Sequence, residues 1–132
     1  MFATVFTPYQ SLPKPLYLYP DLLKDKIDAL NAWIYPEINN GAYKAGFSSN
    51  QDVYDKAFDT YFNGLDKIEK ILSKSRYLCS NDYPTEADIR LFPTLFRQDC
   101  VYFVRMKLNK KFICYEYPNI YGWLKDIYQF NG

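Results

Sequence analysis

Histidine is absent from this chain of 132 residues, which holds three cysteines, 14 tyrosines, 10 phenylalanines and two tryptophans. A Ser-His-Asp triad, a Cys-His pair and an imidazole zinc site each need the one side chain that titrates near neutrality, or its ring nitrogens, so all three are excluded. The groups left to do chemistry are tyrosine hydroxyls, thiols, lysines and carboxylates. A reactive thiol wants a helix N-terminus or a neighbouring cation to lower its pKa. Cys79 stands near Arg76 but six residues ahead of Thr85, where a helix is expected to start. Cys100 follows Asp99, whose charge favours the protonated thiol, and Cys114 is followed by Tyr115 and Glu116. None is assigned as a catalytic nucleophile, and three thiols at irregular spacing with no Cys-x-x-Cys pair suit neither a zinc site nor a disulfide framework. They read as reduced intracellular cysteines.

Sixteen basic and 15 acidic residues leave a formal net charge of +1, which gives no reason to expect nucleic acid or an anionic membrane as partner. The wealth of rings points to a bulky core or to a pocket walled by aromatics. The length is that of one domain, enough to bury a core without metals or disulfides. No apolar run approaches the roughly 18 to 20 residues that cross a bilayer. The N-terminal MFATVFTPYQ has no basic segment followed by an apolar one. A soluble, cytoplasmic protein is expected.

The elements that must hold these groups are helices. Residues 1–19 carry Pro8, Pro13 and Pro15 and read as a linker, since proline at such intervals forbids a stable helix. Pro20 suits a first helical turn, after which Leu23, Ile27, Leu30, Ile34 and Ile38 form one apolar face. Pro36 should kink this helix near Tyr35, and Asn39-Asn40-Gly41 should close it, leaving Ala42 to Phe47 as a short stretch between helices. From Asp52 to about Ser75, Tyr54, Phe58, Tyr61, Leu65, Ile68 and Leu72 repeat with helical spacing, as in one member of a globular bundle. Ser75 to Pro84 reads as a polar loop. Thr85 and Asp88 then form a capping box that starts the next helix, with Ile89, Phe92, Leu95 and Phe96 expected inward and a kink at Pro93. Helicity resumes to Met106, Lys107 to Tyr117 is irregular, and Pro118 opens a last helix with Ile120, Trp123, Leu124 and Ile127 inward. The fold class is all-α, about five helices with no sheet.

Ile27-Asp28-Ala29-Leu30-Asn31-Ala32-Trp33-Ile34-Tyr35, leading to Asn39-Asn40-Gly41-Ala42-Tyr43-Lys44-Ala45-Gly46-Phe47, strongly resembles the glutathionyl-hydroquinone reductases, the Xi-class, Omega-like glutathione transferases. Arg76-Tyr77-Leu78-Cys79, Thr85 to Phe92, Arg97, Asp99, Val101-Tyr102 and Tyr117-Pro118-Asn119 are similar to later segments of the same family. The resemblance covers nearly all of residues 17 to 129 and only the family's C-terminal helical domain, so residues 20–132 are expected to form a glutathione-transferase C-terminal-like bundle. The capping box is shared widely among glutathione transferases; the Asn-Asn-Gly-x-Tyr-Lys-Ala-Gly-Phe string is far narrower. Asn81-Asp82-Tyr83-Pro84 and Leu108 depart from the family pattern.

The resemblance implies a substrate pocket whose rings stack on a quinol and whose tyrosine hydroxyls bond its oxygens. Tyr43 is the first candidate, with Phe47, Arg97 and Tyr102 lining the same cleft. A core tyrosine bonded to backbone is the competing reading of Tyr43, and Tyr102 is equally open to it. Glutathione is the family's co-substrate, but its main site lies in a thioredoxin-like domain with a Cys-Pro-x-Ala motif that is absent from these residues. The chain is therefore expected to be inactive alone, and to pair as a homodimer or against a partner domain, because losing that domain would expose an apolar patch. An aromatic quinol-type molecule is the expected small ligand. A stand-alone helical module for protein association is the alternative.

Overall fold

The structure, a computed structural model, describes residues 17–130. Most of the expected linker over residues 1–19 lies outside them, but Leu18 is tied down, its carbonyl accepting the Glu86 N–H at 2.7 Å. Every regular element among the described residues is helical. A single turn at Asp21–Leu23 leads into α1 (Lys24–Ile34), which continues as a π-helical turn at Tyr35–Asn39. Then come α2 (Gly41–Gly46) and α3 (Gln51–Leu72), the latter capped by the Asn50 side chain, which accepts the Val53 N–H. After a non-helical segment, α4 (Glu86–Phe96) passes through a second π-helical turn at Gln98–Tyr102 into α5 (Phe103–Arg105). Two further helices, α6 (Ile113–Glu116) and α7 (Pro118–Tyr128), end the described chain.

The core is one cluster. Ile27, Ile34 and Ile38 from the first helix meet Tyr61, Phe62, Leu65 and Ile68 of α3, Leu91 and Leu95 of α4, and Ile120 and Trp123 of α7. Helix α4 packs on α1, on the first π-helical turn and on α7, so it crosses the centre of the bundle. Its placement depends on one carboxylate. Asp88 is fully buried; its Oδ2 accepts the Thr85 N–H and the Thr85 hydroxyl, each at 2.8 Å. Its Oδ1 accepts the Leu78 N–H and the Trp123 indole N–H, each at 2.9 Å. The capping box is therefore present, and the same carboxylate also fastens a loop and the last helix.

Several sequence expectations are corrected. The face of α4 is rotated: Ala87, Asp88, Leu91, Thr94 and Leu95 are buried, while Ile89 and Phe96 are 41% and 51% exposed. Once Asp88 is held inward by Leu78 and Trp123, a residue one position later points outward. The segment Ser75 to Pro84 is not simply polar, because its own Tyr77, Leu78 and Cys79 are buried. Asn39-Asn40-Gly41 does not terminate the first helix. Asn40 stays in helical conformation (φ −83°, ψ −24°) and Gly41 begins α2, so the stretch expected between helices is itself helical. Within the irregular Lys107 to Tyr117, Ile113–Glu116 is a short helix started by Asp99, whose carboxylate accepts the Ile113 and Cys114 N–H groups at 2.8 and 3.0 Å.

Helix α7 is pinned to α3 by Glu69. Its Oε1 accepts the Asn119 N–H at 3.0 Å and its Oε2 the Ile120 N–H at 2.9 Å, an anion at a helix N-terminus. Beside it, Asp66 accepts the Tyr117 hydroxyl at 2.9 Å and Lys111 Nζ at 3.1 Å. Burial pushes the Asp66 carboxyl up, yet these two bonds and the charges of Lys111 and Lys110 together hold it below the ordinary 3.8.

Two stability measurements test these ties. Replacing Asp88 by Ala strands three N–H donors and should cost about 3–5 kcal/mol in urea denaturation, against about 1 kcal/mol for Thr85→Ala; equal losses would show that Asp88 acts only as a cap. A carboxylate whose pKa is lower folded than unfolded contributes stability above its unfolded pKa and loses it as pH falls through the folded value. Asp66→Asn should accordingly flatten the acid limb of the stability profile below pH 3.8.

Candidate functional site

Two widened turns place the residues of interest. In the first, the Asn40 N–H reaches the Tyr35 carbonyl at 2.8 Å, five residues back, just after Pro36. In the second, the Tyr102 N–H reaches the Arg97 carbonyl at 3.1 Å, again five back. A single π-helical turn inside an α-helix rotates the residues C-terminal to it, and such turns recur at functional sites. The first sets the phase of α2, which carries Tyr43 and leads to Phe47. The second aims Tyr102 inward and leaves Arg97 at the surface. Asn39 ties the first turn to α4, the helix that leads into the second, its side-chain amide donating to the Arg90 carbonyl at 2.9 Å and to Thr94 Oγ1 at 2.8 Å. Gly46 permits the close approach of α2 to the end of α5. A Cβ there would lie 2.8 Å from the Met106 Cβ and would overlap its sulfur.

Tyr43, Phe47, Arg97 and Tyr102, separated by up to 59 positions, meet in one aromatic string. The Tyr43 and Tyr102 hydroxyls are 3.0 Å apart, and either can donate. Their rings stand edge to face, with centroids 5.8 Å apart at 71°. Phe47 stacks on Tyr43 with centroids 6.0 Å apart at 24°. The Arg97 guanidinium carbon lies 5.4 Å from the Tyr102 ring centroid, and its Nε donates to the Pro93 carbonyl at 2.7 Å. Exposure rises along the string: Tyr102 is 2% exposed, Tyr43 half-buried and Phe47 70% exposed.

Tyr43 and Phe47 border a cavity of about 750 Å³ between the first π-helical turn, α2 and α3, with Pro36, Val53 and Ala57 as apolar wall and Lys44 and Lys56 also lining it. Arg97 and Tyr102 do not line this cavity. Tyr102 stands behind Tyr43. Burial, then the bond to Tyr43, push its phenol up to about 12, the nearby Arg97 cation opposing them. The inner phenol is thus uncharged near neutrality. When Tyr102 donates to Tyr43, the Tyr43 O–H is free to donate outward and is polarised by the bond it accepts.

Sequence reading missed Gln98, which is fully buried and holds the second turn in place. Its Oε1 accepts the Tyr61 hydroxyl at 2.8 Å and its Nε2 donates to the Leu108 carbonyl at 2.9 Å. The only signal for it in the sequence is a polar residue on the inward phase of the helix once Asp88 is taken as inward. Among the described residues there is no group of His, Cys, Asp and Glu that could hold a metal, and no helix long and apolar enough to cross a membrane.

Residues 51–126 match the family described as glutathione S-transferase, C-terminal domain. The chain is 51% identical over 114 residues to glutathionyl-hydroquinone reductase YqjG of Escherichia coli, an alignment covering 86% of this chain and 34% of that protein. It is 43% identical over 102 residues to glutathionyl-hydroquinone reductase PcpF of Sphingobium chlorophenolicum, covering 77% of this chain and 32% of that protein. The glutathione-bound structure of YqjG superposes with a TM-score of 0.89 at 47% identity, over 98% of this chain and 41% of that one. A Xi-class glutathione transferase from Natrialba magadii superposes with a TM-score of 0.92 at 39% identity, over 100% of this chain and 39% of that one. The chain spans about a third of the length of these curated relatives.

The tyrosine pair should behave as a coupled unit. In a double-mutant cycle of Tyr43→Phe and Tyr102→Phe, the coupling energy for folding should be about 0.5–1.5 kcal/mol. Additive losses would mean that the hydroxyls do not interact.

Proposed function

Because the chain belongs to the glutathione S-transferase C-terminal domain family, we propose that it forms the aromatic-acceptor side of a glutathionyl-hydroquinone reductase. The observation that carries this reading is the Tyr43–Tyr102 hydroxyl pair beside the stacked Phe47 ring. A hydroquinone presents a flat ring and hydroxyl oxygens at its rim. Phe47 offers a face to the ring, and the outward O–H of Tyr43 offers a donor to one oxygen. Tyr102 is a positioning residue, holding the Tyr43 hydroxyl and its direction. Arg97 acts on Tyr102 through its charge and fixes the start of the second widened turn.

These residues supply binding and orientation, not the thiol exchange itself. Glutathione takes part as co-substrate, and the 132 residues contain no Cys-Pro-x-Ala segment to attack a glutathionyl sulfur. The chain alone should give no turnover with a glutathionylated hydroquinone plus glutathione, and turnover would overturn the division of labour. Helix α4, the second π-helical turn and α5 also carry outward apolar side chains, Ile89, Phe96, Val101 and Val104, all more than a third exposed. Such a stripe suits a homodimer contact or a partner domain, with the cytoplasm as compartment, and a monomer in light scattering at high concentration would count against it.

The direct test is binding. Titration of the chain with a menadiol-type hydroquinone under anaerobic conditions should show Tyr43→Phe weakened about three- to tenfold, the loss of one neutral hydrogen bond. Tyr102→Phe should weaken it less, since that residue touches the ligand only through Tyr43. Unchanged affinity in Tyr43→Phe would sink the assignment.

A further inference from the structure

Tyr102 meets Tyr43 from the end of a turn that holds one residue more than an α-helix would, and such a turn must be held open. Its own N–H is bonded within the turn to the Arg97 carbonyl, and its carbonyl accepts the Met106 and Leu108 N–H groups at 3.1 and 3.2 Å. Leu108 returns to the turn because the chain hooks back at Lys107. That lysine is the one residue other than glycine with a positive φ, 57°, among the described residues. A lysine adopts that conformation at a cost, so the surrounding structure has to fix it. The Lys107 carbonyl accepts the Tyr54 hydroxyl at 2.6 Å.

Gln98 closes the hook from inside. Gln98, Leu108 and Tyr61 have no solvent exposure, so their polar atoms must find partners within the protein. The Leu108 carbonyl can only accept, which turns the Gln98 Nε2 toward it at 2.9 Å. Gln98 Oε1 then faces Tyr61, whose hydroxyl donates to it at 2.8 Å. Flipping the amide would set its oxygen against the Leu108 carbonyl, so one orientation alone satisfies all three groups. Tyr54 and Tyr61 stand two turns apart on α3, whose Val53, Ala57 and Thr60 line the cavity beside Tyr43. At the other end of the hook, Met106 abuts Gly46 in the helix that carries Tyr43.

We infer that Gln98 is a positioning residue for the tyrosine pair: bonded to Tyr61 on one side and to Leu108 on the other, it sets the second π-helical turn so that the Tyr102 hydroxyl meets that of Tyr43. An apolar side chain at position 98 leaves the Tyr61 hydroxyl and the Leu108 carbonyl without these partners, and the hook keeps only its tie to Tyr54 and the bond from the Leu108 N–H. Tyr102 then loses the support that fixes its phenol against Tyr43. The effect on a ligand rests on the hydroquinone reading above, whereas the effect on the tyrosine pair needs no ligand.

Two readouts test this role. The coupling between the Tyr43 and Tyr102 hydroxyls, read from a double-mutant cycle with phenylalanine in denaturant, should fall to roughly half or less in Gln98→Leu and in the milder Tyr61→Phe. A glutamine that merely fills the core would leave that coupling intact, whatever stability its loss removes. In an anaerobic menadiol titration, Gln98→Leu should weaken binding about two- to threefold in the otherwise unmodified chain, and no further in Tyr102→Phe, because the two residues act through one hydroxyl. Equal weakening in both backgrounds overturns the proposal, and so does a coupling unchanged in the variants that fold; Tyr61→Phe decides the matter if Gln98→Leu does not fold. Absence of menadiol binding by the unmodified chain would overturn the hydroquinone reading alone, and the coupling would still decide the role of Gln98.

Discussion

The rest of the structure depends on keeping one carboxylate buried. Asp88 has no solvent exposure, and an unsatisfied charge there would cost several kcal/mol. The chain meets that demand with donors from three places: Thr85 at the helix start, the Leu78 backbone in the preceding loop and the Trp123 indole in α7. Satisfying the charge therefore assembles the fold. The loop is drawn under the bundle with Tyr77 and Cys79, α7 is laid across α4, and the phase of α4 is set to within one residue.

Away from that centre, the same logic recurs in smaller form. Glu69, Asp99 and Gln98 each end a side chain on backbone or hydroxyl groups that would otherwise be stranded at helix ends or in the core. These ties act between segments distant in sequence, and they hold the short α6 and α7 without relying on intrinsic helix propensity. They also leave hollows walled by rings that the core did not absorb, among them one beside Tyr43 and one beside Cys100.

The two π-helical turns bring the two tyrosines of the proposed site together. Each adds one residue to a helical turn, and each does so just ahead of or within the segment that supplies a tyrosine of the pair. Gly46 lets α2 approach the end of α5, and the Asn39 amide ties the first turn to α4. The result is a tyrosine pair whose inner member is buried and whose outer member borders the cavity.

Periodicity and capping chemistry sufficed for the all-helical class, for the inward faces of α1, α3 and α7, and for the start of α4 at Thr85, because these are governed by residues within a turn or two of each other. The narrow Asn39 to Phe47 string pointed to Tyr43 and Phe47, and both border one cavity. Beyond the reach of the sequence was any quantity set by partners distant along the chain. The inward phase of α4 was misjudged at Ile89 and Phe96 because Leu78 and Trp123, not local hydrophobicity, decide which way Asp88 turns. The helix at Gly41 was missed because an Asn-Gly pair is as able to continue a helix as to end one, and packing against α3 chose continuation. That Tyr102 would back Tyr43 instead of lining the cavity was decided only in three dimensions, by a one-residue bulge that leaves no periodic trace and is held by a buried glutamine bonded to side chain and backbone on other segments.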